Sequence, residues 1–539
     1  ELVSSILDQA GKLASEVVSP LNAYGDMHGV KIHNKQEVKT PEGFKNAYQQ
    51  FSDGGWASLQ FEPDYGGQGL PFSLAIPVQE MWHSANMAWG LCPLLSQGAV
   101  EAIQANASEE LKSRYLPQMI AGRWSGTMNL TEPQAGSDMA TLRTRAEPDG
   151  DHYRITGQKI FITWGEHDMV DNIVHLVLAR LQDAPPGIKG ISLFLVPKLL
   201  VNDDGTLGER NDCHVVSLEH KIGIHASPTC AMSYGDNGGA IGYLVGEENK
   251  GLACMFSMMN NARLTVGLQG VAIAERSYQL ARDYAKERPQ GIAPGGSEIG
   301  MIIKHPDVRR MLMTMRALTE ASRALTYVAC SSVDYQEKHP DENVRKHHKA
   351  RAALLTPIVK GWSTEVGLEV TSIGVQVHGG MGFIEETGAG QYYRDARILP
   401  IYEGTNGIQA LDLVVRKTLF DKGAAMDSLL QEMRALATDV ELGTNTLKAE
   451  SKAFSCGVEA LAHAKVQLLE EAKGDINWSG SVSFNYLMLM GSVCGAWQML
   501  MAAQVAEAKL ASGDSDIPFY SAKLATARFY LDQILPRYL

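Results

Sequence analysis

The 539-residue chain has only seven cysteines, an odd number, and nowhere are two of them spaced Cys-x-x-Cys. That excludes a disulfide framework and a zinc ribbon and fits a reducing compartment, so a cytoplasmic location is expected. Positive charge is also scarce. Forty-eight Lys and Arg against 61 Asp and Glu leave a formal net charge of −13, whereas a protein that grips a phosphate backbone is normally basic, so no nucleic-acid partner is expected. No Gly-x-Gly-x-x-Gly follows a strand-like run, and neither a phosphate-loop signature nor a Gly-x-Ser-x-Gly elbow occurs, so Rossmann, P-loop and α/β-hydrolase sites find no support. The histidines never form His-Glu-x-x-His, and His214, His220 and His225 fall near strand-like runs, so no metal is expected. His347 and His348 lie in a basic run that reads as a solvated helix face.

Long apolar runs are nearly absent too, with one exception. From 478 to 506 there is no charged residue, and 487 to 505 is long enough to cross a bilayer. Its apolar content is largely Met, Ala and Gly, with Ser492, Gln498 and Gln504 interrupting it. A buried bundle helix in a soluble protein, with no membrane partner, is the reading adopted.

What remains is an ordinary globular composition, 45% hydrophobic and 20% charged, and a length that calls for several packed units. Residues 1–125 read as mainly helical with turn-rich breaks. Residues 126–245 break into short β-branched runs separated by Gly, Pro, Asn and Asp, the pattern of an antiparallel β-domain. Helical periodicity returns over 246–420, with long helices predicted at 260–287, 306–335 and 351–377. Four more helices, near 423–440, 446–473, 483–511 and 518–534, make 421–539 an added helical domain. The expected fold class is therefore α+β and multidomain.

Four segments carry residues suited to chemistry. In the first, Met128 and Leu130 lead into Thr131-Glu132-Pro133-Gln134-Ala135-Gly136-Ser137-Asp138, whose small residues let a ligand approach the backbone and whose hydroxyls can bond it. An ordinary capped turn would read the same way. In the second, Gly157-Gln158-Lys159-Ile160-Phe161-Ile162-Thr163, a Gly turn is expected to lead into a strand with Phe161 and Thr163 on one face. A ring and a hydroxyl so placed could meet a planar heterocycle, although a plain edge strand is as good a reading. The third, Gln376-Val377-His378-Gly379-Gly380-Met381-Gly382-Phe383, ends a long helix and could offer backbone N–H groups to an anion, or simply stop the helix. In the fourth, Ile401-Tyr402-Glu403-Gly404-Thr405-Asn406-Gly407, a carboxylate on a pinned loop among apolar residues can have its pKa raised and act as a base. By itself it could equally be a surface Glu at a helix start.

Taken together and in this order, the Thr-Glu-Pro-x-Ala-Gly-Ser-Asp run, the Gly-x-Lys-x-Phe-Ile-Thr strand, the Gln-Val-His-Gly-Gly-x-Gly-Phe turn, Arg394-Asp395-Ala396 and Ile-Tyr-Glu-Gly-Thr resemble the acyl-CoA dehydrogenase family over about 420 residues. The resemblance implies an N-terminal helical domain, a middle β-domain and a C-terminal four-helix domain, with FAD bound between the last two. It implies that Glu403 removes the α-proton of an acyl-CoA thioester while hydride leaves the β-carbon for the flavin. By matching position, Met128, Leu130, Thr131, Gly136 and Ser137, then Phe161, Ile162 and Thr163, would contact the flavin. Thr405 and Gly407 would lie near its ring and pyrophosphate. Arg288, Gln376, Val377, Gly379 and Gly380 would reach the FAD of a neighbouring subunit, implying a homodimer or a dimer of dimers. Ser137, Arg263, Glu403 and Gly404 match substrate contacts.

Phe161 stands where many members have Trp, Gly407 replaces a frequent Gln, and Arg288-Pro289-Gln290-Gly291 departs from the usual adenosine-end pattern. The extension after about 420 resembles a larger-subunit branch. Within it, the runs at 161–168 and 172–180 are most similar to members that oxidise 3-methylmercaptopropionyl-CoA in dimethylsulfoniopropionate breakdown, the alternative being a broad range of short and medium fatty acyl-CoAs. Electron-transferring flavoprotein is the implied electron acceptor. An acyl-CoA oxidase and a nucleic-acid-binding relative of the fold are the competing readings.

Overall fold

A computed structural model describes residues 1–34, 36–443, 446–513 and 516–539, apart from the side chains at 257, 258, 260 and 476. The side chain of Asn260, where a helix is expected to start, thus lies outside the described residues. The chain divides into two compact units, Glu1–Ala262 and Arg263–Leu539.

In the first unit, helices Phe44–Asp53, Phe72–Ala85, Met87–Asn106 and Glu109–Ile120 precede the strands. Asn86 accepts from the Trp89 N–H and Ser108 from the Leu111 N–H, so both later helices begin at a side-chain cap. A short hairpin, Lys31–His33 with Glu37–Lys39, interrupts the helical region; its strands are too short for a periodicity to register. Seven strands run in the order Cys213–Leu218, Thr229–Tyr234, His152–Thr163, Ala240–Val245, Ser192–Pro197, Asn172–Leu181, Trp124–Asn129. An eighth, Arg145–Asp149, pairs with both His152–Thr163 and Asn172–Leu181 and so closes part of the sheet into a ring. Most pairings are antiparallel, as expected, but Trp124–Asn129 and part of Arg145–Asp149 lie parallel to Asn172–Leu181. The buried Asn172–Ala179 stretch, apolar at nearly every position, is what a strand covered on both faces requires.

The second unit is helical. Pro306–Lys338 begins with Pro306 at its first turn, and Glu342–Val377 starts nine residues before the expected 351, at an Asp341 cap that accepts from the Asn343 N–H. Asn343 and the basic residues and histidines at 345–349 hid that start, because this end of the helix is largely exposed. The charge-poor stretch forms the helix Ile476–Ala511. It packs against Pro306–Lys338, Glu342–Val377, Lys448–Glu471 and Ile517–Phe529, and 78% of its most apolar window is buried within the protein, the environment of a bundle helix.

Candidate active site

Gly157 departs from the expected turn. It lies inside one continuous strand, His152–Thr163, at φ 155°. A Cβ there would stand 2.6 Å from Thr144 Oγ1, so the glycine serves a close approach of the backbone just before the strand Arg145–Asp149. Further along the same strand the register against Thr229–Tyr234 slips, leaving Ile160 and Phe161 opposite Ala231. This bulge puts Phe161 at φ 59° and turns its ring outward, 58% exposed. Ile162 is buried, and Thr163 is half-buried on the more open side, as is Thr131.

The first two sequence segments meet in the first unit. The Ile160 N–H donates to Thr131 O at 2.9 Å, and Lys159 Nζ donates to Leu130 O at 3.0 Å and Glu132 Oε1 at 2.9 Å. Lys159 and Glu132 are both buried. Glu132 also accepts from Thr144 N and Oγ1, Arg143 N and Gln134 Nε2. Burial opposes its charge, but Lys159 and these donors overcome that and hold the carboxyl down at about 2. Burial lowers the Lys159 ammonium to about 8 against the pull of Glu132. This buried pair fixes the loop that presents Met128, Leu130 and Thr131, all half-buried, and Gly136 and Ser137, both exposed. Sequence reading quoted both residues and missed their pairing, because neighbours across a barrel are not neighbours in the chain.

In the second unit Glu403 sits at φ 54° and Gly404 at φ 78°. For Glu403 this left-handed backbone costs roughly 1–2 kcal/mol, and a Cβ on residue 404 would meet Gln409 Nε2 at 2.7 Å. The turn is held from several sides. Gln409 Nε2 donates to Glu403 O at 3.2 Å and Gly404 O at 3.3 Å, the Asn406 N–H to Pro400 O at 3.0 Å, and the Tyr402 hydroxyl to Gln269 Oε1. Thr405 caps the helix Asn406–Leu411, with Gly407 exposed in its first turn.

Glu403 keeps part of its surface open, yet its carboxyl stands among packed atoms. That burial pushes its pKa above the ordinary carboxylate value, while Arg263 and Lys360 pull the other way. Arg263 is buried, and its Nε has no hydrogen-bond partner among the described residues. Burial weakens its hold on the proton, and Asp412 and Glu403 counter that. Lys360 is fully buried and lowered by burial to about 7, opposed by Glu403 and Glu365. Sequence reading missed Lys360, although a Lys inside the run Ile358-Val359-Lys360-Gly361-Trp362 is a usable signal.

The third segment ends the helix Glu342–Val377. Gln376, Gly379 and Gly380 are exposed, Val377 is buried, and Gly379 takes φ 60°. Arg288 is exposed just past the helix Gly251–Glu287. Within the first unit, an outward ring beside hydroxyls and small residues suits stacking on a flat heterocycle; within the second, the open glycines suit an anion.

The chain matches four family models: acyl-CoA dehydrogenase N-terminal domain over residues 5–123, middle domain over 127–236, C-terminal domain over 249–418, and an acetyl-CoA dehydrogenase C-terminal-like domain over 429–539. It is 49% identical over 532 residues to 3-methylmercaptopropionyl-CoA dehydrogenase of Ruegeria pomeroyi, covering 98% of this chain and 90% of that one. It is 36% identical to a butyryl-CoA dehydrogenase of Syntrophomonas wolfei, covering 99% and 89%. Among solved structures, an acyl-CoA dehydrogenase from Bacillus anthracis complexed with FAD superposes with a TM-score of 0.80 at 21% identity, covering 100% of this chain and 87% of that one.

Proposed function

The chain belongs to the acyl-CoA dehydrogenase family, an FAD-dependent oxidoreductase family, and from that premise we propose that it oxidises 3-methylmercaptopropionyl-CoA to methylthioacryloyl-CoA with Glu403 as the base. The observation that carries the base assignment is a carboxyl with a raised pKa, held in a strained turn between two buried cations. An α-C–H is too weakly acidic for an ordinary solvated carboxylate. Burial makes Glu403 a stronger base, and family membership implies that its own backbone N–H would donate to a thioester oxygen as negative charge develops. When bound, FAD supplies the hydride acceptor. Phe161, Thr131, Thr163 and Ser137 would hold its ring, Thr405 and Gly407 its neighbourhood near the pyrophosphate, and Arg263 would assist substrate binding.

The 49% relative supports the methylthio substrate, and with it a place in dimethylsulfoniopropionate breakdown. The butyryl-CoA relative supports the second reading, a broad-range short-chain enzyme. Sulfur in place of a methylene changes pocket fit by only about 1–3 kcal/mol, so kcat/KM across a panel of acyl-CoAs decides between them. A preference for butyryl-CoA over the methylthio thioester would overturn the first. Electron-transferring flavoprotein is the proposed acceptor; rapid peroxide formation without an added acceptor would point instead to an oxidase.

A homodimer or dimer of dimers is supported by clustered exposed apolar residues. Ile292, Ile299 and Met301 follow Arg288, and Met381, Phe383 (91% exposed) and Ile384 follow Gly380. The scarcity of cysteine, seven in 539 residues with none spaced Cys-x-x-Cys, supports a cytoplasmic location.

A further inference from the structure

We propose that Lys360 and Asn406 are positioning residues for the reaction: together they lock the loop carrying Glu403 onto one turn of the helix Glu342–Val377. The proposal rests on the reading of Glu403 as the base. Asn406 is 3% exposed and lies three residues beyond Glu403. Its Nδ2 donates to Gly361 O at 3.1 Å, Thr364 Oγ1 at 2.9 Å and Glu365 Oε1 at 2.8 Å. Its Oδ1 accepts from Lys360 Nζ at 2.8 Å and Thr364 Oγ1 at 3.3 Å. Residues 360, 361, 364 and 365 share one face of that helix. One amide therefore spans the gap between a strained loop and a rigid element.

An ammonium has donors and no acceptor, so Lys360 admits only one orientation of the amide, oxygen towards itself. Asn406 in turn fixes Pro400 O through its own N–H at 3.0 Å, so both ends of the segment 400–406 are tied to it. A fully buried ammonium is costly unless compensated. Glu403 and Glu365 face Lys360 with opposite charge, Arg263 with the same charge, and Asp412 faces Arg263. The cation thus both orients the clamp and favours the ionised form of Glu403.

The test compares Lys360→Met, Lys360→Arg, Asn406→Ala and Glu403→Gln in the full-length flavoprotein. Flavin content, thermal unfolding, KM, kcat and the pH profile of kcat are read for each. K360M is expected to keep its flavin and a KM within about threefold, to lose about 10–100-fold in kcat, and to shift the acid limb of kcat to higher pH. N406A is expected to lose kcat similarly, with a smaller shift of that limb, because the cation remains. K360R, which keeps charge and donors, is expected to stay within about fivefold of the wild type. If K360M does not fold, a loss of kcat in N406A with K360R active still supports the clamp. Wild-type kcat in N406A or K360M, or a loss that tracks flavin content and KM alone, overturns it. Near-normal flavin bleaching by substrate in E403Q would overturn the base assignment itself, a result separable from either.

Discussion

Replacing Glu132 by Gln tests how the first unit holds the loop that carries Met128, Leu130 and Thr131. In the wild type Lys159 and the surrounding donors hold the carboxyl down at about 2 against the cost of burial, so the native state favours its ionised form. Burial lowers the Lys159 ammonium to about 8 against the pull of Glu132. The intact pair thus sets a gain against a desolvation cost, as buried ion pairs commonly do. Removing one partner is different, because it leaves a buried ammonium uncompensated and should cost roughly 3–5 kcal/mol. For a unit of this size that lowers the melting temperature of its transition by on the order of 10 °C.

The pH dependence gives a second reading. A carboxyl whose folded pKa is depressed contributes stability that is present above pH 4.5 and lost as pH falls towards 2. That acid loss should be present in the wild type and missing in E132Q. The assay is urea unfolding between pH 3 and 7, with flavin retention measured in parallel. An E132Q protein melting within about 1 °C of the wild type, or the double variant E132Q/K159M being no more stable than E132Q, would refute the reasoning.

Three further outcomes follow from the same geometry. E403Q should stay folded and yellow while turnover falls by several orders of magnitude, and wild-type kcat should rise with pH through a midpoint above 4.5, because the raised Glu403 must be ionised to act; a midpoint at or below 4.5 counts against the burial argument. F161A removes the exposed ring and, with stacking on the flavin lost, should weaken FAD retention by about 0.5–1.5 kcal/mol, as read by flavin release on dilution; unchanged release excludes the contact. G491A would place a Cβ 2.2 Å from Trp362 Cγ, so overpacking should destabilise the second unit by about 1–3 kcal/mol, with unchanged urea midpoints as the contrary result.

What could be read in the linear chain was what local rules govern. Three- and four-residue apolar spacing located the helix Pro306–Lys338, and a charge-poor run rich in Met and Ala located the bundle helix Ile476–Ala511. The four chemical segments were legible as short continuous runs, and it was their combination and order, rather than any one of them, that carried the resemblance. The α+β class followed from the change of period alone.

Tertiary structure decided everything that depends on meeting at a distance. Gly157 looked like a turn because glycine more often marks one, yet the strand runs straight through it because Thr144 comes close there. Glu132 was one residue of a turn-rich run until folding brought Lys159 onto it. Glu403 could have been a surface residue at a helix start. Its raised pKa comes from burial among atoms that folding packs around it, with Arg263 and Lys360 on two other helices pulling the other way, and no spacing in one segment can encode surroundings that folding delivers from elsewhere.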